Sequence, residues 1–165
     1  MSQLKPAAQR VQDVLRAKGL EADVRHMSAS TRTAQDAADA CGCEVGQIVK
    51  SLIFRGARSG QAYLLLVSGA NRVDETVAAT QIGEPLSRPD AQFVRDATGF
   101  AIGGIPPLGH ATPIATFIDE ALLGYEVVWA AAGTPDAVFP IAPGRLAEAV
   151  GARTIRVIPD PAAGS

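Results

Sequence analysis

The chain has 165 residues, a formal net charge of −2, 47% hydrophobic residues and 19% charged residues. That composition builds one globular core and excludes a disordered chain, and near-neutral charge excludes a protein that grips long stretches of nucleic acid. No run reaches the ~18 apolar residues of a membrane span, and residues 1–20 lack the apolar centre of a signal peptide, so a cytoplasmic protein with no membrane partner is the expectation.

In chain order, Leu4, Ala7, Ala8, Val11, Val14 and Leu15 recur at helical spacing over residues 3–18. Lys5, Arg10, Arg16 and Lys18 fall on other faces and read as solvated, and Gly19 is a stop signal. Residues 22–27 read as a short strand. Thr33 followed by Asp36 resembles a capping box and opens an Ala-rich helix to about Cys41. Residues 46–56 and 60–69 are two strands joined by a short turn, hence a hairpin. Asp74 opens a short helix; Pro89 and Asp90 open another that stops at Gly99. Residues 115–125 pass from strand into a helical turn. Residues 126–141 form a second hairpin about Gly133-Thr134-Pro135-Asp136, Pro143 opens a last helix, and residues 153–158 are a last strand. Hairpins alternating with helices predict a single α+β domain over residues 1–158, a mixed, barrel-like sheet with flanking helices, and residues 159–165 as a flexible tail.

Lys50 is the most informative charge. The strand period places it in register with Ile48, Leu52 and Phe54, while Val49, Ser51 and Ile53 take the other face. An ammonium among apolar side chains either snorkels to water or projects into a cleft where a ligand is its partner. Residues 99–110, GFAIGGIPPLGH, form the second signal. Pro106 and Pro107 stiffen the loop and offer no N–H, and Gly103 and Gly104 let a ligand approach the main chain. The result is either a rigid turn or a nest in which the N–H groups of Gly103, Gly104 and Ile105 hold a carbonyl oxygen or an oxyanion.

The remaining candidates are weaker. His110 is read as a packing or surface residue before a catalyst, Gly133 and Thr134 as a turn before a ligand contact, and Asp119 with Glu120 as a solvated helix start. Ser68 lacks a nucleophile elbow. Cys41 and Cys43 are too close for a relaxed disulfide and read as reduced, partly buried thiols; no ligand spacing points to a metal or a cofactor. An enzyme built on this chain would lack an obvious nucleophile of its own.

Taken together, the segments STRTAQDAA, VGQIVKSLIF, YLLLVSGANRVD, TGFAIGGIPPLGH, FIDEALLGYEVVWAAAGTPDAVF and LAEAVGA resemble the YbaK/EbsC family, the prolyl-tRNA-synthetase-associated editing domains. The likeness runs from about residue 30 to residue 152. It implies hydrolysis of the ester joining a wrong small amino acid, such as cysteine or alanine, to tRNA(Pro). The partners it implies are the tRNA 3′ acceptor end and a synthetase. It also implies roles. Lys50 would meet the terminal nucleotide or the substrate carbonyl; Gly103, Gly104 and Ile105 would hold the aminoacyl group; Pro107 would fix the loop; Thr31 and Ser68 would line the pocket. Pro106 stands where other branches carry a small polar residue, and branches also differ at His110, so both bear on amino-acid choice. The same residues admit a non-catalytic module that binds aminoacylated ends, or an esterase of an unrelated small ester.

Overall fold

The computed structural model describes residues 4–27 and 33–159. Thr31, and the expected tail from residue 160 onward, lie outside the described residues.

The helices form where local signals place them. Helix α1 (Pro6–Ala17) starts on a proline and buries Ala8, Val11 and Leu15 completely. Helices α2 (Ala34–Cys41), α3 (Glu75–Ile82) and α4 (Ala91–Thr98) are capped by Thr33, Asp74 and Asp90, whose side chains accept from the N–H groups of Asp36, Val77 and Phe93. Each of the three ends on a left-handed glycine: Gly42, Gly83 and Gly99. Cap and stop together satisfy N–H and C=O groups that the helix leaves unpaired. Helix α5 (Pro143–Val150) buries Leu146.

The strands are β1 (Arg25–His26), β2 (Ile48–Gly56), β3 (Ala62–Ser68), β4 (Leu86–Ser87), β5 (Ala115–Asp119), β6 (Val128–Ala131), β7 (Ala137–Ile141) and β8 (Arg153–Ile155). They make one eight-stranded sheet in the order β1-β7-β6-β2-β3-β5-β8, with β4 on β2 off this path. The hairpins β2–β3 and β6–β7 are antiparallel; β2–β6, β3–β5 and β5–β8 are parallel. The chain is therefore a single α+β domain on a mixed sheet. Both faces are covered. Val49, Ile53, Leu64 and Leu66 pack with α1 on one side, while Phe54, Leu65, Val67 and Phe117 pack with Ala78 of α3 on the other.

Two strands are shorter than the sequence pattern suggests, for one shared reason. Gln12 of α1, only 4% exposed, donates to the Ala22 carbonyl at 3.0 Å and accepts from the Val24 N–H at 2.8 Å. A helix side chain thus replaces a strand neighbour, and residues 22–24 stay outside the ladder. Gln81 of α3 does the same at the other end of the sheet, accepting from the Arg156 N–H at 2.9 Å and donating to its carbonyl at 2.5 Å. Strand β4, only two residues long, left no periodic signal to read.

Candidate active site

The cleft forms where the sheet opens. Strand β2 pairs with β6 only at Ile48 and Val49, and with β4 only at Arg55 and Gly56. Between these contacts the edge of β2 away from β3 has no neighbouring strand. The register fixes which groups face that gap. Ile48 and Gly56 bond across to Gly69 and Gln61 on the β3 side at 2.7 and 2.9 Å. Alternation along an antiparallel pair then turns Lys50, Leu52 and Phe54 toward β3 and the main-chain groups of Ser51 and Ile53 toward the gap.

A cleft of about 370 Å³ occupies this opening, a size suited to a small ligand. Its walls come from Thr33, Ala34 and Ala37 of the α2 region, from Ile48 through Leu52, from residues 102–105 of the Gly-Pro loop, and from Trp129, Ala130, Ala131, Pro135 and Val138 of the second hairpin. A smaller lobe of about 250 Å³ shares Lys50, Ser51, Leu52, Ile102 and Ile105 and adds Arg72 and Arg88. The apolar walls strengthen any polar contact made inside.

Lys50 is half-buried and stands at the junction of both lobes. Its Nζ donates to the main-chain carbonyl of Asn71. Burial pushes its pKa below the usual lysine value, and the charge of Asp119 opposes that shift. Asp119 is 2% exposed. Its carboxylate accepts from the Ser68 N–H at 3.1 Å, from Asn71 Nδ2 at 2.9 Å and from the Ala121 N–H at 3.0 Å. The reading of Asp119 as a solvated helix start is corrected: it ends β5 inside the protein. These three donors satisfy the hydrogen bonding of the buried carboxylate, and its charge acts on Lys50.

The loop over the cleft is braced from behind. Phe100, Ile105 and Leu108 are buried, and Ile102 is 62% exposed at the rim. Gly133 donates to the Gly104 carbonyl at 2.8 Å, Arg10 to the Gly109 carbonyl at 2.8 Å, and His110 Nε2 to the Pro106 carbonyl at 2.8 Å. Arg10 also lies over the Phe100 ring at 4.8 Å. The charges of α1 are accordingly not all idle: Arg10 clamps the loop and Lys5 pairs with Asp136 at 3.2 Å. Gly103 has φ +108°, a conformation that favours glycine, and its side-chain space is open. A Cβ on Gly104 would instead stand 2.8 Å from the main chain of Thr134.

Lys50, Gly103, Gly104 and Ile105 therefore meet in one cleft. Ser68, Pro106, Pro107, His110, Gly133 and Thr134 do not line it. They stand behind it: Ser68 is buried against the Gly46 carbonyl at 2.8 Å, and the others carry the loop. Sequence reasoning passed over Ser51, Trp129 and Ile102. Ser51 carried a signal, being the one hydroxyl between Val49 and Ile53 on an apolar face. Trp129 and Ile102 carried none, since only the fold brings them here. Among the described residues, the lining holds no histidine, cysteine or carboxylate, and no group of three metal-ligating side chains is present. Among the described residues, no helix is long and apolar enough to cross a membrane.

The aminoacyl-tRNA editing domain family matches residues 28–149. The chain belongs to that family. A solved structure named "putative trans-editing enzyme for prolyl tRNA synthetase" is 50% identical, covers 96% of this chain and all of its own, and superposes with a TM-score of 0.90. The uncharacterized protein YwhH of Bacillus subtilis (strain 168) is 29% identical over 78% of this chain and 81% of its own. A proline–tRNA ligase of Limosilactobacillus fermentum (strain NBRC 3956 / LMG 18251) is 27% identical over 64% of this chain, a match that spans 19% of the ligase. The editing-domain chain thus resembles both a free-standing protein and a segment of a much larger synthetase.

Proposed function

We propose that this protein is an aminoacyl-tRNA deacylase that removes a small misattached amino acid, cysteine or alanine, from tRNA(Pro) in the cytoplasm. The single observation that carries the reading is the convergence of Lys50 with the exposed main chain of Gly103 at an apolar cleft whose described lining holds no histidine, cysteine or carboxylate. Support comes from the family match and from the likeness to the trans-editing structure.

The chemistry asked of the cleft is ester hydrolysis. Water adds to the ester carbonyl carbon, negative charge gathers on its oxygen, the bond to the ribose oxygen breaks, and that oxygen leaves with a proton as the hydroxyl. The amino acid departs as a carboxylate. The N–H groups of Gly103 and Ile105 are the donors for the developing oxyanion, and such preorganised donors supply much of the barrier lowering in acyl transfer. The Gly104 N–H is turned to the Ala101 carbonyl, at 3.4 Å. Lys50 adds positive charge to the same region and reaches the terminal nucleotide. With no histidine or carboxylate in the described lining and the Lys50 amine tethered to the Asn71 carbonyl, the attacking water, or a thiol of the substrate, relies on groups the substrate carries.

Single-turnover incubation with alanyl-, cysteinyl- and prolyl-tRNA(Pro) tests this. Release of alanine or cysteine with prolyl-tRNA left intact is the expected result. Protection of every ester without turnover would replace the enzyme with a binding module, and indifference to all three would end the tRNA reading.

A further inference from the structure

Ser51 presents an unusual set of unpaired polar groups. Its Oγ is buried and has no hydrogen-bond partner. Its main-chain N–H and C=O face the gap in the sheet: the β2–β6 ladder has already ended at Val49–Ala130, and the ladder with β4 begins only at Arg55–Ser87. Buried polar groups in folded proteins are nearly always paired, so an unpaired hydroxyl beside an unpaired strand edge implies a partner that arrives from outside. Ser51 lines both lobes of the cleft.

The geometry points to Ser51 as the receptor for the substrate's α-amino group. This rests on the deacylase reading above. The Ser51 carbonyl and Oγ are both acceptors, and no carboxylate in the described lining competes for a cation. The α-ammonium is the one strong donor an aminoacyl ester carries next to its carbonyl. Bound this way, the amino acid lies along the open edge of β2 as a single added residue, with the Ser51 N–H left to meet its carbonyl, the same exchange that a peptide makes when it extends a sheet. Lys50 does not compete for the place. Neighbouring residues of a strand point to opposite faces, and the Lys50 ammonium is tethered to the Asn71 carbonyl. The site would therefore recognise the backbone of the amino acid at Ser51 and its side chain by the apolar walls.

The test compares alanyl-tRNA(Pro) with the same tRNA after nitrous acid has converted the α-amine to a hydroxyl. The wild-type protein should hydrolyse the aminoacyl ester at least about tenfold faster, the scale of one hydrogen bond to a charged group. In Ser51→Ala that preference should shrink severalfold, because Oγ is lost while the main-chain carbonyl remains, with the melting temperature unchanged or raised, since the substitution removes a hydroxyl that nothing in the protein pairs. A wild-type protein that treats the two esters alike, or a folded Ser51→Ala that keeps the full preference, overturns the role of Ser51 and leaves the deacylase reading standing. Failure to hydrolyse any aminoacyl ester overturns both.

Discussion

Asn71 links Lys50 to a buried carboxylate: its main-chain carbonyl accepts from Lys50 Nζ, while its own Nδ2 donates to Asp119 at 2.9 Å. The amine that faces the cleft is thus aimed by a group at the end of β3, and that group is fixed by the end of β5. Removing the Asp119 carboxylate orphans the N–H of Ser68, the N–H of Ala121 and the amide of Asn71. Of these only the Ser68 N–H is fully buried, and an orphaned buried donor costs about 1–3 kcal/mol, while Asn71 and Ala121 can turn to water. Asp119→Ala should lower stability in urea unfolding by about 1–3 kcal/mol. A loss under about 1 kcal/mol would show that the network relaxes around the gap. Asn71→Ala keeps the carbonyl that Lys50 uses, so it should lower the deacylation rate less than removal of Lys50 does.

Lys50 itself should be dispensable for folding and essential for turnover. Lys50→Ala removes an amine whose burial already lowers its pKa. We expect unchanged circular dichroism and a deacylation rate lower by about 100-fold or more, the scale of losing one electrostatic stabiliser of an oxyanion. Lys50→Arg preserves charge but not size in the junction of the two lobes, and should restore only a small part of the rate. Full activity in Lys50→Ala would remove this residue from the site.

The adjacent glycines should behave differently. Gly103→Ala adds a methyl to open space but forces a side chain onto φ +108°, a strain of about 1–3 kcal/mol, at a residue that lines the cleft. Its main effect should be on rate, on the order of 100-fold. Gly104→Ala puts a methyl 2.8 Å from the Thr134 main chain. The loop or the second hairpin must move, so the melt should fall together with the rate. Equal melts for the two variants would contradict this division.

His110 sets an acid limit on the loop. Burial pushes its pKa below the ordinary 6.5; the contact with Pro106 opposes this and the charge of Arg10 adds to it. The folded state therefore takes up its proton at lower pH than the unfolded chain does. Stability from the neutral ring is present above pH 6.5 and is lost as pH falls through the lower folded value. Wild-type protein should lose stability below pH 6.5 by an increment that His110→Gln lacks, as measured by thermal melts at several pH values. Because His110 does not line the cleft, the substitution should lower the rate less than Gly103→Ala.

Cys41 should be a poor nucleophile. Burial, and then the neighbouring Cys43, push its pKa up to about 11, against the opposing charge of Arg25. Alkylation by iodoacetamide should be slow at pH 8 and quicken toward pH 11, because only the thiolate reacts. Rapid labelling at pH 7 would show a thiolate that the burial does not permit.

The sequence by itself determined the features whose partners lie within a few residues. The caps Thr33, Asp74 and Asp90 and the glycine stops that follow them are local bonds, so their spacing was enough to place α2, α3 and α4. The same holds for the β2–β3 hairpin and for Lys50, whose register follows from a period of two. The loop at residues 103–105 was legible because glycine and proline restrict or free the main chain wherever they occur. Tertiary structure decided what depends on distant partners. Asp119 looked like a solvated helix start beside Glu120, and it is buried because Ser68 and Asn71, 51 and 48 residues away along the chain, supply its donors. Gln12 and Gln81 read as ordinary polar positions on helices, yet each ends a strand by taking the place of its neighbour. His110, Gly133 and Thr134 were chemically suited to a site, and the fold set them behind it. The gap beside β2 that exposes Ser51 has no sequence signature, because it exists only where β6 and β4 diverge from a common edge.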